Sequence, residues 1–352
     1  MENGKYLLLS ITALQTIIFQ VNSIEIEYQY PVILSMKIIV LFVLVCLLGI
    51  WSLFLGFTDI SVRDIFSMSE NQSLVMAVSR IPRLAAVIIA GASMSICGVI
   101  MQQMTHNRFV SPTTAGTMDA AALGIMLSML IFPDGGTYQR LSISLGVTLA
   151  ASAVFMTLAE RIKFKNLVFV PLLGIIFGNI LDSVTTFIGL QFNVVHSMAS
   201  WLQGDFSSVM QGNYELMYIS APLLALTYFY ADRFTLMGMG KSFAVNLGMN
   251  YGTMFRLGLI ITSCVTSVIV LTVGMIPFVG LIVPNIISIL FGDNLRKTLP
   301  LTALSGAAFL LACDILGRSV MYPYEVSVSV MVGIIGGAVF LYLILGRRLN
   351  AG

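Results

Sequence analysis

The chain has 352 residues, of which 58% are hydrophobic and only 10% are charged. Soluble domains carry about 25% charged residues because they must cover their surface with solvated side chains, so this composition nearly excludes a soluble enzyme. The net charge of +2 comes from scattered Lys and Arg rather than from a basic cluster, and we expect no nucleic-acid partner. A membrane-spanning helix needs about 20 apolar residues, which leaves room for about ten crossings and for no large extramembrane domain.

Ten apolar segments are long and continuous enough to predict helices, because each span in hydrocarbon must satisfy its own backbone hydrogen bonds. They cover residues 38–57, 83–105, 114–132, 140–159, 167–190, 213–231, 257–275, 277–291, 299–317 and 326–346. The predicted fold class is therefore an all-α polytopic bundle of about ten transmembrane helices. Recurring glycines within the segments predict close helix packing rather than catalysis. These glycines are Gly91, Gly98, Gly116, Gly174, Gly178, Gly306, Gly333, Gly336 and Gly337.

The first 35 residues are harder to assign. Residues 6–21 are apolar over too short a stretch to span, and a signal peptide is a weaker interpretation because no small-residue cleavage site follows. One hypothesis is that translation normally begins at Met36. We therefore divide the chain into an N-terminal extension, residues 1–35, and a transmembrane domain, residues 36–352.

The distribution of basic residues predicts the orientation, since loops rich in Lys and Arg stay cytoplasmic. If residue 38 starts inside, eleven basic residues fall in inner loops and five in outer loops. We therefore expect a multi-pass protein of the cytoplasmic (inner) membrane, with both ends of residues 36–352 in the cytoplasm.

The chain lacks the signatures of a nucleotide-hydrolysing or proteolytic enzyme. Residues 238–242 resemble the end of a phosphate-binding loop, but Thr235 stands where that motif needs glycine. His106 and His196 lie on opposite sides of the predicted membrane and cannot form one site. The four cysteines have no CxxC spacing, so we expect no disulfide framework, no metal site and no cofactor on this chain.

Three aspartates lie within apolar segments, where a buried charge is costly and a functional role is the default expectation. Asp119, Asp182 and Asp314 are therefore candidates for a translocation path, with structural roles as the alternative. Asp314 can instead pair with Arg318, one helical turn further on. A proton-coupled carrier, which uses such carboxylates as a relay, remains an alternative class, and so does a membrane scaffold without transport.

Four stretches in chain order carry a more specific signal. The first runs from Arg80 and Arg83 through residues 90–103 to residues 107–116, and the second, SWLQGDF, covers residues 200–206. The third is KSFAVNLG at residues 241–248, and the fourth is GMIPFVGLIVPN at residues 274–285, followed by DILGR at residues 314–318. Together they resemble the FecCD-type permeases of ABC importers for iron-siderophores, haem and cobalamin, over about residues 38–348.

The chain also departs from that family's usual pattern. It reads N-R-F-V-S-P at residues 107–112 where the family usually has N-P-L-A-x-P, Lys241 where the family has Glu, and Asn285 where it has His. The stretches SPTTAGTMD, SWLQGDF, IVPN and YPYE look most like the branch that imports catecholate siderophores such as petrobactin. A haem or cobalamin importer is the alternative within the family.

The resemblance implies that this chain is a transport subunit and not an enzyme. Its implied partners are a second permease subunit, either a copy or a sister chain, two cytoplasmic ABC ATPase subunits that bind ATP, an extracytoplasmic substrate-binding lipoprotein, a ferric siderophore and the lipid membrane. Iron would travel inside its chelator, so no protein metal site is expected.

The resemblance also implies three groups of site residues. The ATPase-coupling loop is Gly240, Lys241, Ser242, Phe243, Ala244, Val245, Asn246, Leu247 and Gly248. Arg80, Arg83 and Arg318 are expected to dock carboxylates of the binding protein, with snorkelling or helix-end pairing as the alternative. Candidate residues of the translocation path or inner gate are Gln102, Gln103, Asn107, Ser111, Thr113, Thr114 and Thr117.

Overall fold

A computed structural model describes residues 34–56, 69–161, 169–195, 198 and 202–349. The predicted N-terminal extension, apart from its last two residues, lies outside the described residues, as do His196 and Trp201. The described chain folds into α-helices, which we number in chain order. They are α1 (Leu34–Phe54), α2 (Glu70–Thr105), α3 (Thr117–Ile131), α4 (Thr137–Arg161), α5 (Phe169–Gln191), α6 (Ser220–Phe229), α7 (Ala231–Gly238), α8 (Lys241–Asn246), α9 (Tyr251–Val273), α10 (Val279–Phe291), α11 (Leu295–Ser319) and α12 (Val328–Leu349).

The helices confirm the predicted all-α membrane bundle. Among the described residues, six helices are long and apolar enough to cross a membrane, namely α1, α2, α4, α5, α9 and α11. Four shorter apolar elements, α3, residues 215–229, α10 and α12, account for the remaining predicted segments. The segment predicted at residues 213–231 is broken, because a 3₁₀ turn at Glu215–Ile219 precedes α6 and Tyr230 separates α6 from α7.

Helix α2 lies at the centre and approaches its neighbours through glycine. A Cβ atom added at Gly91 would lie 2.4 Å from the carbonyl oxygen of Gly306 in α11, and one at Gly98 would lie 1.8 Å from that of Gly280 in α10. Contacts this close need glycine on the facing helices. The packing prediction also holds for Gly116, Gly174, Gly178 and Gly336, whereas Gly333 and Gly337 have no described atom of this chain within 4 Å of an added Cβ and their packing stays a prediction.

A pair of hydroxyl contacts joins α4 to α9 inside the bundle. Ser152 lies 3.3 Å from Ser263 between their Oγ atoms, and Thr148 Oγ1 lies 3.1 Å from Ser267 Oγ. All four side chains are buried. Small hydroxyl residues suit such a helix seam because they allow close approach and hydrogen-bond across it.

The two ends of the bundle differ in the elements that meet there. At the α8 end, the residue after α2 and the start of α11 contact α7, through His106–Met237 and Arg296–Asp232, and α8 follows α7 in the chain. The end of α10 lies at the same end, where Asp293 pairs with Arg108 and the Phe291 ring centroid lies 4.5 Å from Lys37 Nζ near the start of α1. At the opposite end, called the arginine end, the end of α1 meets the start of α2 and the end of α11.

Candidate functional site

The arginine end is built on an irregular start of α2. Residues Met76–Arg80 are π-helical, and Pro82 follows within the same continuous helix. Proline lacks the N–H that would bond to the carbonyl four residues earlier, and that carbonyl, Val78 O, instead accepts a hydrogen bond of 2.9 Å from the Gln211 backbone N–H. The irregular turn places Arg80 and Arg83 against the end of α1 and against α11.

Arg80 and Arg318 satisfy carbonyl groups at the end of α1. Arg80 Nη1 donates to Leu53 O at 2.6 Å, and Arg318 Nη1 donates to Ser52 O at 3.0 Å and to Leu55 O at 3.1 Å. The last carbonyls of a helix have no partner within the helix, and cations there also complement its dipole. Both arginines are buried, so they act as C-terminal caps of α1.

Asp314 is the centre of the ion network at this end. Its side chain is 0% exposed, and its carboxylate accepts from Arg83 Nη2 at 2.8 Å and from Arg318 Nη2 at 2.5 Å. The pairing of Asp314 with Arg318 one turn away is confirmed. Arg83 Nη1 reaches outward to Glu325 Oε2 at 2.8 Å, in the loop between α11 and α12.

The three arginines predicted to dock a partner are therefore brought together, and all of them bond within the chain. This geometry corresponds to the helix-end pairing that the sequence left open. Snorkelling does not describe it, since the guanidinium groups of Arg80, Arg83 and Arg318 are held by named carbonyls and carboxylates. Docking of a binding protein through them stays a prediction.

The predicted coupling segment forms a short helix at the α8 end. Gly240 precedes it with a φ of 115°, which a side chain would strain, and Ala244 alone anchors α8 in the core. Phe243, Val245 and Leu247 are 47%, 51% and 59% exposed. Phe243 and Val245 on this short helix, together with Leu247 at its C-cap, form an exposed apolar surface suited to a hydrophobic groove.

Lys241 does not point away from the protein at the rim of that surface. Its Nζ atom lies 5.6 Å from the ring centroid of Tyr251 at the start of α9, within cation–π distance. The residue at the position where the family usually has Glu therefore contacts this chain itself. This contact ties the start of α8 to α9.

The residues predicted to line a path divide between two cavities on either side of the loop that joins α2 to α3. Gln102, Gln103 and Asn107 line a polar cavity of about 500 Å³ at the α8 end. Ser111, Thr113 and Thr114 line an apolar cavity of about 510 Å³ that also contacts α5 and α12. Thr117 is the first residue of α3, and its hydroxyl donates to Pro112 O in the loop at 2.7 Å.

Two of the family departures contact each other at this loop. Asn285 Nδ2 donates to the carbonyl of Arg108 at 2.7 Å, and Gln102 Nε2 donates to the same oxygen at 2.9 Å. The Arg108 side chain in turn pairs with Asp293 at 2.6 Å. The sequence showed both departures but not that they contact each other. The signal that could have indicated the contact is Asn285 itself, because a polar residue inside an apolar helix needs a hydrogen-bond partner.

Of the remaining intramembrane carboxylates, Asp119 lies in the first turn of α3 against α5. A Cβ atom added at Gly178 of α5 would lie 2.6 Å from Asp119 Oδ2, so the glycine makes room for this carboxylate. Asp182 lies one turn further along α5 and is exposed in the single chain. A role of either residue in a translocation path stays a prediction.

A polytopic bundle with apolar spans, a polar loop between two cavities and a short exposed helix at one end defines a membrane permease. The chain belongs to the FecCD transport family, which matches residues 41–346. It is 51% identical over 316 residues to the petrobactin import system permease protein YclN of Bacillus subtilis, covering 90% of this chain and 100% of that protein. It is 42% identical over 294 residues to the ferric-anguibactin transport system permease protein FatD of Vibrio anguillarum, covering 84% of this chain and 94% of that one.

The fold is also similar to that of a solved transporter of the metal-chelate ABC type in an inward-facing conformation. The TM-score is 0.76 at 22% identity, and the match covers 88% of this chain and 98% of the solved chain. At this identity the match concerns the fold alone. It supports the order of helices described above.

Proposed function

We propose that this chain is the permease subunit of an ATP-driven importer that moves a ferric siderophore, of the petrobactin type, across the cytoplasmic membrane. The observation that carries the proposal is the 51% identity to a petrobactin import permease along that protein's whole length. The similarity to an anguibactin permease supports the same class of cargo. A proton-coupled carrier is not favoured, since both of these relatives are siderophore transport permeases by name.

We propose that α8 faces the cytoplasm and couples the permease to an ATPase. The α8 end carries Lys37, Arg108, Arg256 and Arg296, in accordance with the positive-inside rule. The apolar side chains of α8 are exposed in the single chain and match the chemistry of a partner groove. ATP would bind to that partner ATPase and not to this chain.

A single copy of this chain leaves much of α5 uncovered, and we propose a second permease subunit on that side. The described face of α5 includes exposed Ile176, Ile180 and Phe187, together with the carboxyl side chain of Asp182. Bilayer alone is a poor environment for a carboxylate at mid-helix. A water-containing passage shared with a copy or a sister chain would solvate it, and an external binding lipoprotein would deliver the chelate.

Uptake of ferric petrobactin tests the proposal in cells that lack this chain. Uptake should vanish on deletion and return with the intact chain. It should not return with Phe243→Ser, because a polar residue on α8 weakens insertion into the ATPase groove, whereas Ser242→Ala on the same helix should restore uptake. Unchanged uptake on deletion would remove petrobactin as the cargo, and haem and cobalamin would then be tested. Uptake that stops with a protonophore but persists without ATP would overturn the importer assignment.

A further inference from the structure

A hydrogen bond joins the residue that follows α2 to the turn between α7 and α8. The Nε2 atom of His106 lies 2.9 Å from the backbone oxygen of Met237. Because a carbonyl oxygen can only accept, the imidazole donates to it through a protonated Nε2. The same oxygen accepts the Gly240 backbone N–H at 3.1 Å, and Gly240 precedes α8 with a φ of 115°. His106 therefore bonds to the carbonyl group that shapes the entry into α8.

Gln103, one turn before His106, makes a second approach to the same turn. A Cβ atom added at Gly238, the last residue of α7, would overlap the side-chain oxygen of Gln103. Both Gln103 and His106 line the polar cavity of about 500 Å³ at the α8 end. His106 also lines a second cavity of about 300 Å³ together with Lys241 of α8. The end of α2 is therefore tied to α7 at a place where open space lies on both sides.

The backbone at His106 indicates that this position is occupied for the sake of its side chain. Its φ is 52°, in the left-handed region, where it caps the C-terminal end of α2. Helices that end in this conformation usually carry glycine there, or asparagine, because a Cβ atom disfavours it. At the ends of α9 and α10 this chain places Gly274 and Gly292, each with a φ of 79°. Glycine would fit the end of α2 with less strain, so the imidazole is what distinguishes His106.

The residues that follow His106 are held together by hydrogen bonds. The Asn107 backbone N–H donates to the Gln102 carbonyl at 3.1 Å, and the Asn107 side-chain oxygen accepts from the Phe109 N–H at 2.9 Å. The Arg108 carbonyl accepts from Gln102 Nε2 at 2.9 Å. Because these bonds fix residues 107–109 relative to the end of α2, a shift of His106 moves this part of the loop as a unit.

We propose that the His106–Met237 hydrogen bond is the strut that carries displacement of α8 to the α2–α3 loop, so that His106 is a positioning residue for opening of the passage. This inference rests on the proposed function, in which α8 contacts the ATPase. Contiguous hydrogen bonds and rigid helices can carry coupling between distant parts of a protein. On its other side the loop bonds to α10 through Asn285 and lies beside the Arg108–Asp293 pair. The loop thus spans α7 and α10, and its position follows any change in their separation.

Hydrogen–deuterium exchange in the complete importer tests the strut without reference to the cargo. Exchange is measured in nanodiscs, with and without a non-hydrolysable ATP analogue, for peptides covering residues 240–248 and 107–116. In the intact importer the nucleotide should change exchange in both segments. In His106→Gly, which suits the left-handed backbone and removes only the imidazole, the nucleotide should change exchange in residues 240–248 alone. His106→Gln should restore the response, because its Nε2 donor is the same number of bonds from Cα as the imidazole Nε2.

Transport supplies a second measurement. His106→Gly should lower the uptake of ferric petrobactin per ATP hydrolysed by about fivefold, the size of effect that one hydrogen bond supplies. Assembly with the ATPase and thermal stability should stay unchanged. Thr105→Val is the matched control, since Thr105 adjoins His106 but its hydroxyl donates within α2, to Met101 O at 2.7 Å. This control should leave both the nucleotide response and the uptake unchanged.

The outcomes separate this inference from the proposed function. A nucleotide effect on residues 107–116 that persists in His106→Gly would overturn the strut and leave the importer assignment intact. Loss of ATPase binding or of thermal stability in that variant would also overturn it, because His106 would then be an interface or packing residue. No nucleotide effect on residues 240–248 of the intact importer would refute the proposed contact of α8, and the strut with it. A loop response that His106→Gly abolishes and His106→Gln restores, without petrobactin uptake by the intact importer, would refute the cargo and retain the strut.

Discussion

Replacing Asp314 by asparagine keeps the size of a fully buried side chain and removes its charge. The carboxylate accepts two hydrogen bonds from Arg83, at 3.1 and 2.8 Å, and one of 2.5 Å from Arg318. Asparagine retains one acceptor oxygen but turns an NH₂ group towards guanidinium donors. The buried Arg318 and the partly buried Arg83 then lose their shared anion, and only Arg83 retains a second carboxylate partner, Glu325.

The expected loss of stability follows from these contacts. Removing one partner of a buried ion pair costs about 3–5 kcal/mol because the remaining charge stays uncompensated. Loss of two charge-assisted hydrogen bonds, at about 1.5–3 kcal/mol each, gives a similar range. We expect Asp314→Asn to lower the free energy of unfolding by about 3–5 kcal/mol, measured by steric trapping in bicelles.

Glu325→Gln is the matched control in the same network. Glu325 is 23% exposed, makes one 2.8 Å contact with Arg83, and leaves Arg83 bound to Asp314 when its charge is removed. We expect a loss of about 1 kcal/mol or less, as for pairs near the surface. Equal losses for the two variants, or a negligible loss for Asp314→Asn, would refute the assignment of Asp314 as the centre of the network.

Two further predictions concern packing and the loop. Gly98→Ala should prevent folding, because its Cβ would lie 1.8 Å from Gly280 O. The control Gly146→Ala, whose Cβ would have no described atom within 4 Å, should be neutral or stabilising by about 0.5–1 kcal/mol. Expression and thermal unfolding of both variants check this, and a stable Gly98→Ala protein would contradict it. Arg108→Ala should lower the free energy of unfolding by at most about 1 kcal/mol, since the Arg108–Asp293 pair is exposed to 41% and 52%; a loss like that of Asp314→Asn would show that the loop depends on this pair.

The helices were predictable because the bilayer imposes a simple rule on composition. Every predicted apolar segment contains a helix of the structure, since an apolar run in a membrane has few alternatives. The ends were less predictable. Helix α9 begins at Tyr251 rather than near residue 257, because Asn250 caps it by accepting from Thr253 N–H and its first turns are amphipathic. A hydropathy pattern does not indicate a helix that begins with a polar cap and an amphipathic turn.

The ion network was predictable only in its local part. The Asp314–Arg318 pair follows from their spacing on one helix. The Arg83–Asp314 pair joins residues 231 positions apart, and no local pattern indicates it. The scarcity of carboxylates in the apolar segments was a usable signal, because few anions are available there to pair with a buried arginine.

The apolar cavity beside the loop that joins α2 to α3 was not predictable from any motif. Phe109, Phe278 and Phe340 come from a loop, a helix start and a C-terminal helix, and 22 phenylalanines are spread through the chain. Their meeting depends on glycine-mediated approach of α12 to residue 278. The hydroxyl residues of the same cavity were identified because they stand out in an apolar sequence, whereas phenylalanine does not.

The geometry of the arginine end narrows the docking prediction to one residue. Arg80 and Arg318 donate hydrogen bonds to carbonyl groups at the end of α1, so a partner protein that bound these two arginines would leave those carbonyls without their cap. Arg83 differs, because its Nε and Nη2 atoms donate to Asp314 while its Nη1 atom donates to the partly exposed Glu325. A carboxylate from a docked protein can replace Glu325 on Nη1 without disturbing Asp314. If the binding protein docks on these arginines, Glu325→Gln should therefore strengthen docking by removing the competing anion, while Arg80 and Arg318 contribute only by keeping Arg83 in place.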